Sequence, residues 1–264
     1  MRNKWIESWY QPKIDLRKKT IAGVETFARL RHPDLGVLPP GAFMPSADDQ
    51  SLAALTEYAL ISALTAASNL AAVGIKLRLA VNVSLTAVAQ LKVGSLVAQY
   101  GPKVEGWPGL ILDITEEQIV SNMGQTQALA RQLAGCNVKL AVDDFGRGHL
   151  SVADLSRLPF AELKLDREFV DECGTNETRA AVCENVIHVA HAFGGVAVGI
   201  GVEKTIDAKK LTEMDCDIGQ GFLFGQPMPG DRLVALLRER RVVARQPAPA
   251  QARSPAPRPD RVLI

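Results

Sequence analysis

The feature that most constrains this chain is a repeated alternation of short apolar runs with longer stretches of helical spacing. Residues 77–83, 109–114, 138–142, 162–165 and 195–202 each read as a strand. Helical patterns lie between and around them, at 52–72, 87–100, from Thr115 onward, 167–172, 177–192 and 206–214. Buried parallel strands appear as continuous apolar runs, and their alternation with helices implies βαβ units. Two earlier segments, 9–14 and 21–30, flank the polar turn Asp15-Leu-Arg-Lys-Lys19 and predict an antiparallel opening pair. A last short strand ends in 217–221, and a closing helix covers 231–240. About eight strands in roughly 240 residues suit a closed (β/α)₈ barrel better than an open sheet.

The polar residues that break these apolar runs carry the functional argument. Leu140-Ala-Val142 ends in Asp143 and Asp144, followed by a loop with Gly146 and Gly148. Two adjacent carboxylates repel unless a cation lies between them. Glu25, Asn82, Asp113, Lys164 and Gln220 similarly interrupt or terminate strands, and a barrel brings such positions to one rim. All but the lysine offer the oxygen ligands that Mg²⁺ or Mn²⁺ prefers, and neither Cys nor His joins the set, which argues against zinc. A divalent cation beside a lysine suits charge stabilisation on a phosphoryl oxygen and orientation of water. A bland alternative for Glu25 is an ion pair with Arg29, on the same face of one strand.

Composition narrows the partners. Hydrophobic residues make up 47% and charged residues 22%, an ordinary soluble globular balance. A formal net charge of +1 argues against a surface for nucleic-acid polymers, though not against a small phosphate ligand. Cys136, Cys173, Cys183 and Cys216 form no Cys-x-x-Cys pair and read as reduced thiols. No signal pattern is visible and no apolar run approaches the roughly 18 residues of a membrane span, so the expectation is a cytoplasmic protein without membrane contact. The Pro/Ala/Arg-rich segment 243–264 reads as a disordered tail behind one domain over 1–242.

An ordered series of motifs then resembles the EAL-domain family of bacterial cyclic-di-GMP phosphodiesterases. The series runs Tyr10-Gln-Pro12, Gly23-x-Glu25, Arg29-x-Arg-His-Pro33, Asn82-Val-Ser84, Leu112-Asp-Ile-Thr-Glu116 and Asp143-Asp-Phe-Gly146. Leu158-Pro159, Leu163-Lys-Leu-Asp-Arg167, Gly201-Val-Glu203 and Gln220-Gly-Phe-Leu-Phe224 complete it. The resemblance implies a TIM-type barrel with an antiparallel first strand and Mg²⁺- or Mn²⁺-dependent hydrolysis of cyclic di-GMP to pGpG. It implies metal ligation by Glu25, Asn82, Asp113, Asp143 and Asp144, with Lys164 near the attacking water and Glu203 beside it in the catalytic set. Gln11, Glu25, Phe27, Arg29, Asn82 and Gln220 would contact the dinucleotide, and Glu116 would position the loop after Asp144. An attached sensory domain, a protein partner or a homodimer would also fit the family.

The departures from that pattern decide between readings. Glu-Ala-Leu is Glu25-Thr-Phe27 here, and a family glutamate is Asp113, one methylene shorter. Arg147 and His149 replace Thr and Tyr, and Ile200 stands where the family has its glutamate general base. An isoleucine neither accepts a proton nor binds a cation, and general base catalysis is worth about 10²–10⁴-fold in rate. The expectation is a module that binds cyclic di-GMP with weak or no hydrolysis. A working phosphodiesterase and a protein-interaction domain without nucleotide are the alternatives.

Overall fold

The computed structural model describes residues 5–147 and 150–245. Ten strands form one sheet: β1 (Ile6–Asp15), β2 (Thr20–His32), β3 (Gly36–Leu38), β4 (Arg78–Asn82) and β5 (Leu110–Thr115), then β6 (Val138–Phe145), β7 (Glu162–Leu165), β8 (Val196–Gly199), β9 (Ile218–Gly219) and β10 (Met228–Pro229). Eight of them close into a barrel in the order β1-β9-β8-β7-β6-β5-β4-β2, with β1 pairing back onto β2. The pairs from β2 and β4 round to β8 and β9 are parallel, whereas β1 runs antiparallel to both its neighbours. The antiparallel opening follows from its short connection: only the turn at Lys19, with φ of 56°, separates β1 from β2, and a parallel return needs a longer crossover.

Helices lie between the parallel strands, and the longest is Asp49–Ala72. Asp48 caps it by accepting from the Ser51 N–H at 2.8 Å. By length and composition this one helix among the described residues is apolar enough to cross a membrane. Its buried residues Thr56, Ala59, Leu60, Ala63, Leu64, Ala67 and Leu70 recur every three or four positions, and the helix packs against β2 and β4. The spacing and the partner strands are those of a helix in the outer layer of a barrel.

Several elements depart from the sequence pattern. The single helix expected over 87–100 is two, Leu85–Val88 and Val93–Tyr100. Val88 and Val93 are both fully buried, yet five positions on a continuous helix point roughly 140° apart, and the turn between lets both face inward. β3 and β10 are edge strands too short to show a period. β8 ends at Gly199, so Ile200 begins the loop beyond it. The chain divides into two units, 1–230 and 231–264, the second described by the helix Gly230–Arg245. The tail expected from 243 lies, from residue 246 onward, outside the described residues.

Inside the barrel the strand alternation stacks side chains in layers. Ala80, Ile111 and Ala141 form a small apolar layer from β4, β5 and β6. Two residues further along each of these strands stand Asn82, Asp113 and Asp143, so period two carries the same face to the C-terminal rim. Buried in the barrel as well, Lys13 on β1 pairs with Glu162 on β7, each 2% exposed.

Candidate active site

Lys164 on β7 is the centre of the rim. Its side chain is 2% exposed, and its ammonium donates to Asp143 Oδ2 at 2.8 Å, Asp113 Oδ2 at 3.0 Å and Glu25 Oε2 at 3.2 Å. Burial opposes its charge, but Asp113, Asp143 and Glu25 outweigh this and hold its pKa well above the ordinary lysine value. Lys164 is thus a fixed cation and hydrogen-bond donor rather than a base.

Glu25 is wrapped by donors. Asn82 Nδ2 donates to it at 2.5 Å and Gln220 Nε2 at 2.9 Å, while Gln220 also donates to Gln11 Oε1 at 3.1 Å. Burial pushes Glu25 up; the charges of Lys164 and Lys13 and the bonds from Asn82 and Gln220 overcome that and keep it below the usual carboxylate range. The bland alternative, pairing with Arg29, does not occur. Arg29 instead lies over the rings of Phe27 and Trp9, at 5.6 and 5.8 Å, and donates to the Ala28 carbonyl.

Asp113 is the least satisfied member. Its Oδ1 is buried without a hydrogen-bond partner. Burial first, then the charges of Glu25 and Asp143, overcome the pull of Lys164 and push its carboxyl up to about 7. Ligand oxygens of Glu25, Asp113 and Asp143 lie within 4.8 Å of one another. Three buried carboxylates share one ammonium, burial and repulsion raise the carboxyl of Asp113, and one of its oxygens has no partner. Those are the requirements of a hard divalent cation, and the shorter Asp113 does bring its oxygens into the cluster.

Asp144, the other carboxylate of the strand end, is not part of that grouping. It has φ of 54°, is half-buried, and donates its N–H to Asp143 Oδ1 at 2.9 Å. Burial and the nearby Asp143 and Asp166 push its carboxyl up. The loop that follows hangs on buried Glu116, whose carboxylate accepts from the N–H groups of Leu150 at 2.6 Å and of Gly146 and Arg147 at 3.3 Å. Arg147 pairs with buried Asp166. His149 lies outside the described residues.

Above the cluster opens a cavity of about 350 Å³. Gln11, Glu25, Phe27, Asn82, Asp143, Lys164, Glu203 and Gln220 all line it. Arg29 reaches it only through its contact with Phe27. Ile200 forms part of the wall, with Gly201, Arg167, Gly221 and Phe222. Glu203 accepts from Arg167 Nη2 at 2.7 Å. Gly201, with φ of 72°, permits this, because a Cβ there would meet Arg167 Cγ at 2.4 Å. Sequence reasoning gave no role to Arg167 or Phe222, which follow strands rather than interrupt them. It also passed over Lys13 and Glu162, although each sits two positions before or after a rim residue, Gln11 and Lys164, on the same strand face.

A (β/α)₈ barrel with a carboxylate cluster around a buried lysine at its C-terminal rim is of the class that positions a divalent cation against a ligand. The EAL domain family model matches residues 1–227, and the chain belongs to that family. It is 34% identical over 231 residues to the cyclic di-GMP phosphodiesterase RocR of Pseudomonas aeruginosa, a match covering 86% of this chain and 58% of RocR. An uncharacterized protein of Mycobacterium tuberculosis is 33% identical over 239 residues, covering 88% of this chain and 38% of that one. The chain therefore spans about four to six tenths of the length of these curated relatives. Among solved structures, the PaMucR phosphodiesterase in complex with c-di-GMP superposes with a TM-score of 0.81 at 30% identity, covering 88% of this chain and 95% of that one. The EAL domain of Mycobacterium smegmatis DcpA gives 0.74 at 28% identity, covering 89% and 98%.

Proposed function

We propose that this chain binds cyclic di-GMP at the barrel rim and hydrolyses it weakly or not at all. The observation that carries the reading is the cavity wall at Ile200. An aliphatic side chain lines the same cavity as Asp143 and Lys164, and the acid nearest in sequence, Glu203, is held by Arg167. With Lys164 kept protonated by its neighbours, Glu203, engaged by Arg167, is the one acid among the described residues of that wall. Gln11, Glu25, Phe27, Asn82 and Gln220 supply polar contacts and an aromatic face to the same cavity, which supports binding. Glu25, Asn82, Asp113 and Asp143 would hold Mg²⁺ or Mn²⁺, which would supply charge neutralisation at a phosphoryl oxygen. A retained phosphodiesterase is the second reading, favoured by the partnerless Asp113 Oδ1, a mark of an intact cation position.

Calorimetry with cyclic di-GMP and Ca²⁺, alongside chromatography for pGpG with Mg²⁺ or Mn²⁺, separates the two. Saturable binding is expected, with turnover rising about 10²-fold or more in the Ile200→Glu, Asp113→Glu double variant. Efficient multiple turnover by the unaltered chain would overturn the proposal in favour of the second reading.

A further inference from the structure

The opposite end of the barrel carries a second cavity, of about 540 Å³, and its chemistry is the inverse of the rim's. Arg78 on β4 and Lys139 on β6 stand two residues before Ala80 and Ala141, so strand alternation turns them toward the axis at the N-terminal mouth. Arg131, from the helix Met123–Leu133, lines the same space. No carboxylate lines it, although the whole chain has nearly as many acidic as basic residues, 29 against 30. Among the described residues neither Arg131 nor Lys139 has an ion-pair partner, and Arg78 donates only its Nε, to the Pro108 carbonyl at 3.1 Å. Phe160 and Val196 give the cavity an aromatic and aliphatic side. Gly195 makes room for that ring, since a Cβ there would meet Phe160 Cε2 at 2.5 Å.

We propose that this mouth is a binding site for a small organic phosphate. Two arginines and a lysine line one cavity with no carboxylate among its lining residues, and guanidinium forks match a phosphoryl group's paired oxygens. The ring of Phe160 gives a flat organic part a surface to rest on. The volume lies within the 300–1,000 Å³ or so typical of small-ligand sites. The barrel's bottom face is otherwise the end where residues serve stability, and a stability role would favour paired charges over a solitary cation group.

The test uses phenyl phosphate with the full chain in EDTA, which leaves the acidic rim uncompensated and repellent to the probe. Calorimetry, and emission from a Phe160→Trp variant, should both report saturable binding in the submillimolar range. Arg131 and Lys139 are exposed, so Arg131→Glu with Lys139→Glu should leave the melting temperature unchanged while weakening the probe about tenfold or more. Benzyl alcohol, the same ring without charge, should not compete. Non-saturable uptake, indifference to the charge reversals, or equal binding of benzyl alcohol would each overturn the proposal.

Discussion

Two buried lysines in one barrel meet opposite arrangements. Lys13 forms its ion pair with a single acid, Glu162, so cation and acid there match one to one. Lys164 has three, Glu25, Asp113 and Asp143, so the acids outnumber the cation. Both lie on inward strand faces at almost the same depth of burial. A protein gains nothing in stability from surplus buried charge, so the imbalance marks the group built for a ligand and the balance marks the one built for structure.

The comparison can be broken most forcefully at Lys164. Lys164→Met leaves three mutually repelling buried acids, and in EDTA we expect a loss of about 5 kcal/mol or failure to fold, read by denaturant titration. Lys13→Met strands only one acid and should cost about 3–5 kcal/mol, whereas Lys13→Met with Glu162→Leu should return to within about 1–2 kcal/mol of the parent. If Lys13→Met cost as much as Lys164→Met and Glu162→Leu did not rescue it, the distinction would fail.

Mn²⁺ sharpens the contrast further. At about a hundred times its Kd it should stabilise the parent by about 2.7 kcal/mol in thermal unfolding, and stabilise the Lys13→Met variant equally over that variant's own baseline. The pH profile gives a further test. Asp113 is raised to about 7 in the folded chain, so between about pH 4 and 7 the folded state holds a proton that the unfolded state has released. Stability in EDTA should therefore decline as pH rises through that window and level off above it. Asp113→Asn should flatten the decline, and an unchanged slope in thermal melts would show that another group sets it.

The rim was legible in the sequence because each of its members breaks an apolar run, and a carboxylate inside a buried strand is conspicuous. Glu25, Asp113, Asp143, Lys164 and Gln220 all lie in one connected group for that reason. The Lys13–Glu162 pair was not legible. Lys13 sits in a strand that already alternates loosely, and Glu162 opens a short one, so neither stands out from local context. The partner of each lies 149 residues away, which no local pattern encodes. Arg29 shows the converse: it shares a strand face with Glu25, but it lies over the rings of Phe27 and Trp9, contacts that the face alone does not reveal. The barrel itself was readable from periodicity, while β3 and β10, two or three residues long, leave no period to read.

The crossed geometry at Lys164 also bears on how the chain assembles. Its three acids come from β2, β5 and β6, as far as 139 residues back, while the lysine is delivered later, on β7. Counted along the chain, the balancing charge comes only after all three acids, so a fragment ending before that strand lacks it.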